Sequence, residues 1–133
     1  MLVICTISLI QQRECEYMRL MRFIDSNEFH PLILTAYNSH VNQTDNTPHI
    51  TASGRRTSFQ TLALSRDFIF KYNHPDNAGF NYGDTVDVFL HKTMIVEDTM
   101  NPRYTKHGDI WTKSKAEAKR FSRREGLLIR RKR

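Results

Sequence analysis

Apolar and polar positions alternate through "PLILTAYNS". Leu32, Leu34 and Ala36 fall on one side of an extended chain, and Ile33, Thr35 and Tyr37 on the other. A period of two predicts a strand over residues 31–39. The next eleven residues, "HVNQTDNTPHI", are polar and hold a proline, which predicts a loop in which Asp45 is a turn residue. "ITASGRRTS" predicts a turn at Gly54, and "FQTLALSRDFIFKY" a strand over residues 61–64. A second polar loop, "NHPDNAGFNYGD", precedes "TVDVFLHKTMIVED", which reads as two short strands with His91 and Lys92 near their bend. After Trp111 the pattern becomes helical. In "TKSKAEAKRFSRR", Ser114 and Glu117 have the spacing of a capping box, and Ala118 and Phe121 share one face. Gly126 then reads as the helix stop, and Leu127, Leu128 and Ile129 as a last strand. Short strands, long polar loops and a single late helix predict a small, mainly β barrel.

The N-terminal stretch does not fit this pattern. Residues 2–10 form an apolar run too short to span a membrane. The run resembles the apolar region of a signal, without a basic segment before it or a small-residue cleavage site after it. It reads equally as a first strand or as an upstream extension, and "MRLMRFID" from Met18 reads like an opening of its own. The organisation expected is an extension or weak signal or anchor over residues 1–29, a barrel domain over 30–129, and a basic tail over 130–133.

Composition narrows the classes further. A chain of 133 residues fits one domain with a modest core. Its net charge of +6 is unevenly placed: residues 113–133 hold ten Lys/Arg against two Glu, or +8, so the rest carries −2. Such a segment suits an anionic partner or a solvated face. Cys5 and Cys15 allow one disulfide but no disulfide framework. No Cys/His spacing suggests a zinc site, and no metal or cofactor is expected.

Two carboxylates stand in apolar company. Asp98 ends the run "MIVED", and Asp109 precedes Ile110 and Trp111. An aspartate at a strand end commonly caps a turn, and Trp111 taken alone reads as core packing. The surrounding residues say more. "LTAYNSHVNQTDNTPHITASGRRTSFQTLALSRDF", then "VEDTMNPRYTKHGDIW", then "KSKAEAKRF", resembles the 3D domain, a family named for its aspartates and found in membrane-bound lytic transglycosylase A and related cell-wall proteins. The family order is a TAY strand, a T-A-[ST]-G turn, a strand ending near an aspartate, an E-D-T loop, an I-D strand and an E-A-x-x-[FW] helix. All of these occur here in that order, over residues 32–129.

The resemblance implies a six-stranded double-psi β-barrel with one short C-terminal helix. It also implies cleavage of the β-1,4 bond between N-acetylmuramic acid and N-acetylglucosamine. Asp98 stands where the E-D-T aspartate stands and Asp109 where the I-D aspartate stands. The earlier aspartate maps onto Asp67 of "SRDF", with Ser65 two residues away as the other occupant. Met100-Asn101 replaces the glycine pair that follows E-D-T in many members, in a "D-T-M-N" form with Tyr104 soon after, and Gly108 precedes Asp109 where relatives often have an apolar residue.

Such an enzyme needs one carboxyl to protonate the leaving oxygen and then take the proton of the sugar's C6 hydroxyl, closing a 1,6-anhydro ring. A free aspartate, with a pKa of about 3.9, is ionised at neutral pH, so burial or a second carboxylate must raise it. Asp109 is the expected acid/base, Asp98 the neighbour that keeps it protonated, and Asp67 an orienting group. Tyr37, Thr51 and Ser53 are the candidates for sugar hydrogen bonds, and Tyr104 and Trp111 for ring stacking. The partners expected are peptidoglycan glycan strands, with anionic wall polymers on the basic segment, for a monomer in the cell envelope. A phage-borne gene would pair the weak signal with export through a lysis system. A rival reading is a non-catalytic wall-binding module of the same fold. A nucleic-acid binder would use the +8 segment, but it leaves the aspartates unexplained, and no nucleic acid is expected.

Overall fold

A computed structural model describes residues 2–39, 49–75 and 77–133. The polar loop expected at 40–50, with the Asp45 turn, lies almost wholly outside them. The chain forms two compact units: the N-terminal segment to Glu28 with Arg130–Arg133, and Phe29–Ile129.

In the first unit the apolar run is neither a strand nor an isolated short segment. It is the start of a 25-residue helix α1, Leu2–Ser26. The charged, strong helix formers from Arg13 to Arg22 continue it, and Asn27 Nδ2 closes it by donating to Phe23 O at 2.7 Å. Among the described residues no helix is long and apolar enough to cross a membrane. The expected basic tail is also shorter than the sequence implies. Arg130 and Arg131 belong to the last strand, and Arg130 pairs with Glu28 at 2.6 Å with its side chain only 11% exposed.

The second unit is a closed six-stranded barrel in the order β1-β5-β2-β4-β3-β6. Its strands are β1 (Asn27–Tyr37), β2 (Thr61–Leu64), β3 (Thr85–Val88), β4 (Thr93–Thr99), β5 (His107–Trp111) and β6 (Arg124–Arg131). The pairs β1·β5 and β2·β4 are parallel, while β2·β5, β3·β4 and β3·β6 are antiparallel. Mainly β architecture, closure, strand number and the late helix all match the expectation. The alternation read from the sequence sets the faces. Leu32, Leu34, Leu62, Leu64, Val86, Val88, Met94, Val96, Ile110 and Leu128 fill the interior. Ile33, Thr35, Tyr37, Ala63, Asp109 and Trp111 are therefore left to the outer face.

Two 3₁₀ turns, Arg66–Phe68 and Phe70–Tyr72, follow β2 where the sequence pattern is weakest. They bring Phe68 and Ile69 into the core with Phe80. The helix α2, Lys115–Phe121, begins on Ser114, whose Oγ accepts from Glu117 N at 3.2 Å. The Glu117 carboxylate caps the Lys113 N–H rather than that of Ser114. Gly126 does not stop this helix. The chain leaves it at Ser122, which adopts φ 53°, and Gly126 lies inside β6, where a Cβ would run into Leu34 Cδ1. Gly108 of β5 has the same role, because a Cβ there would stand 2.8 Å from Leu32 Cδ1. Both glycines let the large leucines of β1 close the barrel.

Candidate functional site

The site is built around Ala63. On one side β2 pairs with β5 so that Ala63 faces Asp109. On the other it pairs with β4 so that Ala63 faces Asp98. The second pairing depends on a bulge. The register runs Leu62↔Val96, then Ala63↔Asp98, so Glu97 is an extra residue on β4. Without it Ala63 would face Glu97. The extra residue brings Asp98 into the row that holds Ala63 and Asp109, as bulges re-aim side chains beside functional sites. The two aspartates thus flank a small side chain, with Cα atoms about 10 Å apart across two strand spacings.

Three donors converge on Asp98. The N–H groups of Ala52 and Thr99 donate to Oδ1 at 3.0 and 2.9 Å, and Tyr37 Oη donates to Oδ2 at 3.3 Å. A carboxylate has acceptor capacity for all three. Ala52 belongs to the T-A-S-G turn, closed by Gly54 N donating to Thr51 O with Gly54 at φ 82°. That turn is pinned to the bulge: Ser53 N donates to Glu97 O, and Arg55 pairs with the buried Glu97 carboxylate at 3.4 Å. Thr61 Oγ1 donates to the other Glu97 oxygen at 3.2 Å.

Asp109 is half-buried, and its Oδ1 accepts from Thr35 Oγ1 at 2.9 Å. Burial pushes its pKa up to about 6; the Thr35 hydrogen bond opposes the rise, Asp98 adds to it and His107 opposes it. Tyr37 bonds to Asp98 and feels the charge of both carboxylates. Burial, then the charges of Asp98 and Asp109, raise its pKa far above the usual phenol range, so its hydroxyl is a fixed donor.

The structure therefore brings together Asp98, Asp109 and Tyr37. Trp111 is beside them, opposite Tyr37 on β1. It is half-buried on the outer face and not part of the core. Its Nε1–H donates to Ser39 Oγ at 2.8 Å, and its ring meets Phe59 edge-on at 5.6 Å. Tyr104 packs on His107, which stands two residues before Asp109, with ring centroids 5.3 Å apart, and the Arg103 guanidinium lies 4.8 Å from the centre of the Tyr104 ring. Thr51 is buried, with its hydroxyl engaged by Ser53 Oγ and Arg55 O. Thr51 and Ser53 build the turn that holds Asp98, and Thr51 has no free hydroxyl for a sugar.

Asp67 stands apart. It is 7% exposed, and its Oδ2 accepts from Lys106 N at 3.0 Å. It lines a separate cavity of about 610 Å³ with His30, Phe68, His74 and Lys106, and neither Asp98 nor Asp109 lines that cavity. Ser65, the other occupant of its motif position, is fully buried and accepts from His107 N at 3.0 Å. Neither residue joins the aspartate pair; both tie the chain after β2 to the start of β5. Sequence reasoning missed Thr35, Glu97 and the Ala52 N–H. The period of two that puts Thr35 on the face of Tyr37 is the one signal that could have found any of them.

Among the described residues no three His, Cys, Asp or Glu side chains stand close enough to hold a metal. Comparison with protein-family models and with curated proteins gave no match.

Proposed function

We propose that this chain is a peptidoglycan lytic transglycosylase on a double-psi β-barrel of the 3D type, with Asp109 as its general acid and base. The observation that carries the reading is Asp109 with its pKa raised to about 6, bonded to Thr35 and facing Asp98 across Ala63. One carboxyl that keeps its proton up to about pH 6, next to a carboxylate held by three donors, is the electrostatic arrangement glycosidic cleavage needs. The two parallel strand pairs in a six-stranded closed barrel support the double-psi form.

In this mechanism the Asp109 carboxylic acid gives its proton to the bridging oxygen as the C1–O bond of the muramic acid breaks. Asp98, two strands away, and the hydroxyl of Tyr37 surround the positive charge that develops at C1. The Asp109 carboxylate then takes the proton of the C6 hydroxyl while that oxygen bonds to C1. The anhydro ring closes, Asp109 regains its proton, and no water enters the product.

Mass spectrometry of sacculi incubated with the protein tests this. The expected products end in 1,6-anhydro-muramic acid and lack the mass of one water relative to hydrolysis products. Asp109→Asn should lower their release by about a hundred- to ten-thousand-fold. Intact sacculi with bound protein would instead support a wall-binding module. Reducing ends without the anhydro ring would point to a hydrolase.

A further inference from the structure

One residue beyond Asp98 on β4, Thr99 is the meeting point of two phenols. Tyr72 Oη donates to Thr99 Oγ1 at 3.4 Å, and Tyr82 Oη lies 2.5 Å from the same oxygen. The three hydroxyls come from the second 3₁₀ turn, the loop before β3, and β4. Two exposed cations flank them. The Arg66 guanidinium lies 4.7 Å from the centre of the Tyr72 ring. Lys71 Nζ sits between the rings, 5.6 Å from that of Tyr72 and 5.9 Å from that of Tyr82. Among the described residues neither cation has a carboxylate partner.

The phenols respond to these neighbours in opposite directions. Burial pushes Tyr82 up to about 12, with Thr99 opposing and both Tyr72 and the charge of Asp98 adding to the rise. Burial acts the same way on Tyr72, but its hydrogen bonds and the charges of Lys71 and Arg66 bring it below the usual phenol value. The cluster thus senses Asp98 on one side and two cations on the other. No side chain of the cluster holds Asp98, whose donors are the Ala52 and Thr99 N–H groups and the Tyr37 hydroxyl.

We propose that Arg66, Lys71, Tyr72 and Tyr82 form a recognition subsite for a carboxylate carried by the sugar next to the scissile bond. The proposal rests on the glycan-cleaving reading and adds its specificity. Two exposed cations without a carboxylate partner among the described residues, set on phenol rings that meet at the residue after Asp98, suit an anion there. Muramic acid differs from glucosamine by a lactyl ether, and its carboxylate is either free or extended by a peptide that bears its own carboxylates. Both sources offer the same charge to the same corner.

The test uses the full chain carrying Asp109→Asn, which prevents turnover. Three soluble probes are titrated calorimetrically at low salt: peptide-bearing glycan strands, the same strands stripped of peptide by an amidase, and chitohexaose, which has no carboxylate. At least one carboxylate-bearing strand should bind about tenfold tighter than chitohexaose, the sum expected of two exposed charge contacts. Arg66→Gln with Lys71→Gln should erase that preference and leave chitohexaose binding unchanged. Preference for the stripped strand assigns the lactyl group, and preference for the intact strand the peptide. Equal affinity for all three probes, or a preference that survives in the double variant, overturns the subsite and leaves the glycan reading standing. Failure of every glycan to bind overturns both.

Discussion

At the scale of the residue, Asp109 couples function to stability. Its pKa rises from 3.8 to about 6 on folding, so between those values the folded chain holds a proton that the unfolded chain has released. Stability then falls as pH rises through this window, by about 3 kcal/mol for a shift of that size. Asp109→Asn should therefore melt at nearly the parent's temperature at pH 4 and above it at pH 7. Melting curves at the two pH values check this, and an advantage equal at both would show that the carboxyl carries no burial penalty. In the proposed mechanism the same shift would set activity, because the acid form would be the reactant. The rate on sacculi should decline as pH climbs past about 6. Asp98→Asn removes a charge that raises Asp109 and should move this decline toward lower pH. Apolar neighbours made both aspartates visible in the sequence, and the resemblance to the 3D domain gave them their expected roles. The donors that hold Asp98 could not, because two of the three are backbone N–H groups, and any residue type carries those.

At the scale of the element, the bulge at Glu97 decides whether there is a site. It shifts β4 by one residue so that Asp98 and not Glu97 faces Ala63. The T-A-S-G turn then locks the shifted strand through Ser53 and Arg55. The sequence shows the E-D-T triplet but does not say which of its two acids faces the groove, since a bulge breaks the period of two that assigns faces. Gly126 was misread for a related reason. A glycine after a helical run has the pattern of a helix stop, but this one is needed sideways, where Leu34 occupies the space of a Cβ. Gly126→Ala should overpack the barrel and destabilise it by about 1–3 kcal/mol. Adding Leu34→Ala to Gly126→Ala relieves the clash, so the double variant should lose less than the two single variants together. Denaturant unfolding of the three variants measures this, and strict additivity would separate Gly126 from Leu34.

At the scale of the whole molecule, the structure divides the positive charge that the sequence showed as one block. Arg130–Arg133 belong with the N-terminal segment, where Arg130 pairs with Glu28. Lys113, Lys115, Lys119, Arg120, Arg123 and Arg124 remain on the barrel unit around α2. Arg124 is partly engaged, since its guanidinium donates to Phe121 O and covers the Phe121 ring. The others sit on or beside a short helix with no buried residue, so their charges face water. An exposed basic patch adds a long-range attraction for an anionic surface that salt screens over about 10 Å at 0.1 M. If the barrel works against an anionic wall, this patch concentrates it there without touching the scissile bond. Changing Lys115, Lys119 and Arg120 together to Gln should then weaken binding to anionic wall polymer at low salt by about tenfold, from three exposed contacts of a few tenths to 1 kcal/mol each. The loss should shrink as salt rises, and turnover of short neutral glycan fragments should not change. Binding measured across a salt series for parent and triple variant decides the matter. Parallel curves with no loss at any salt would reduce the patch to solvated surface.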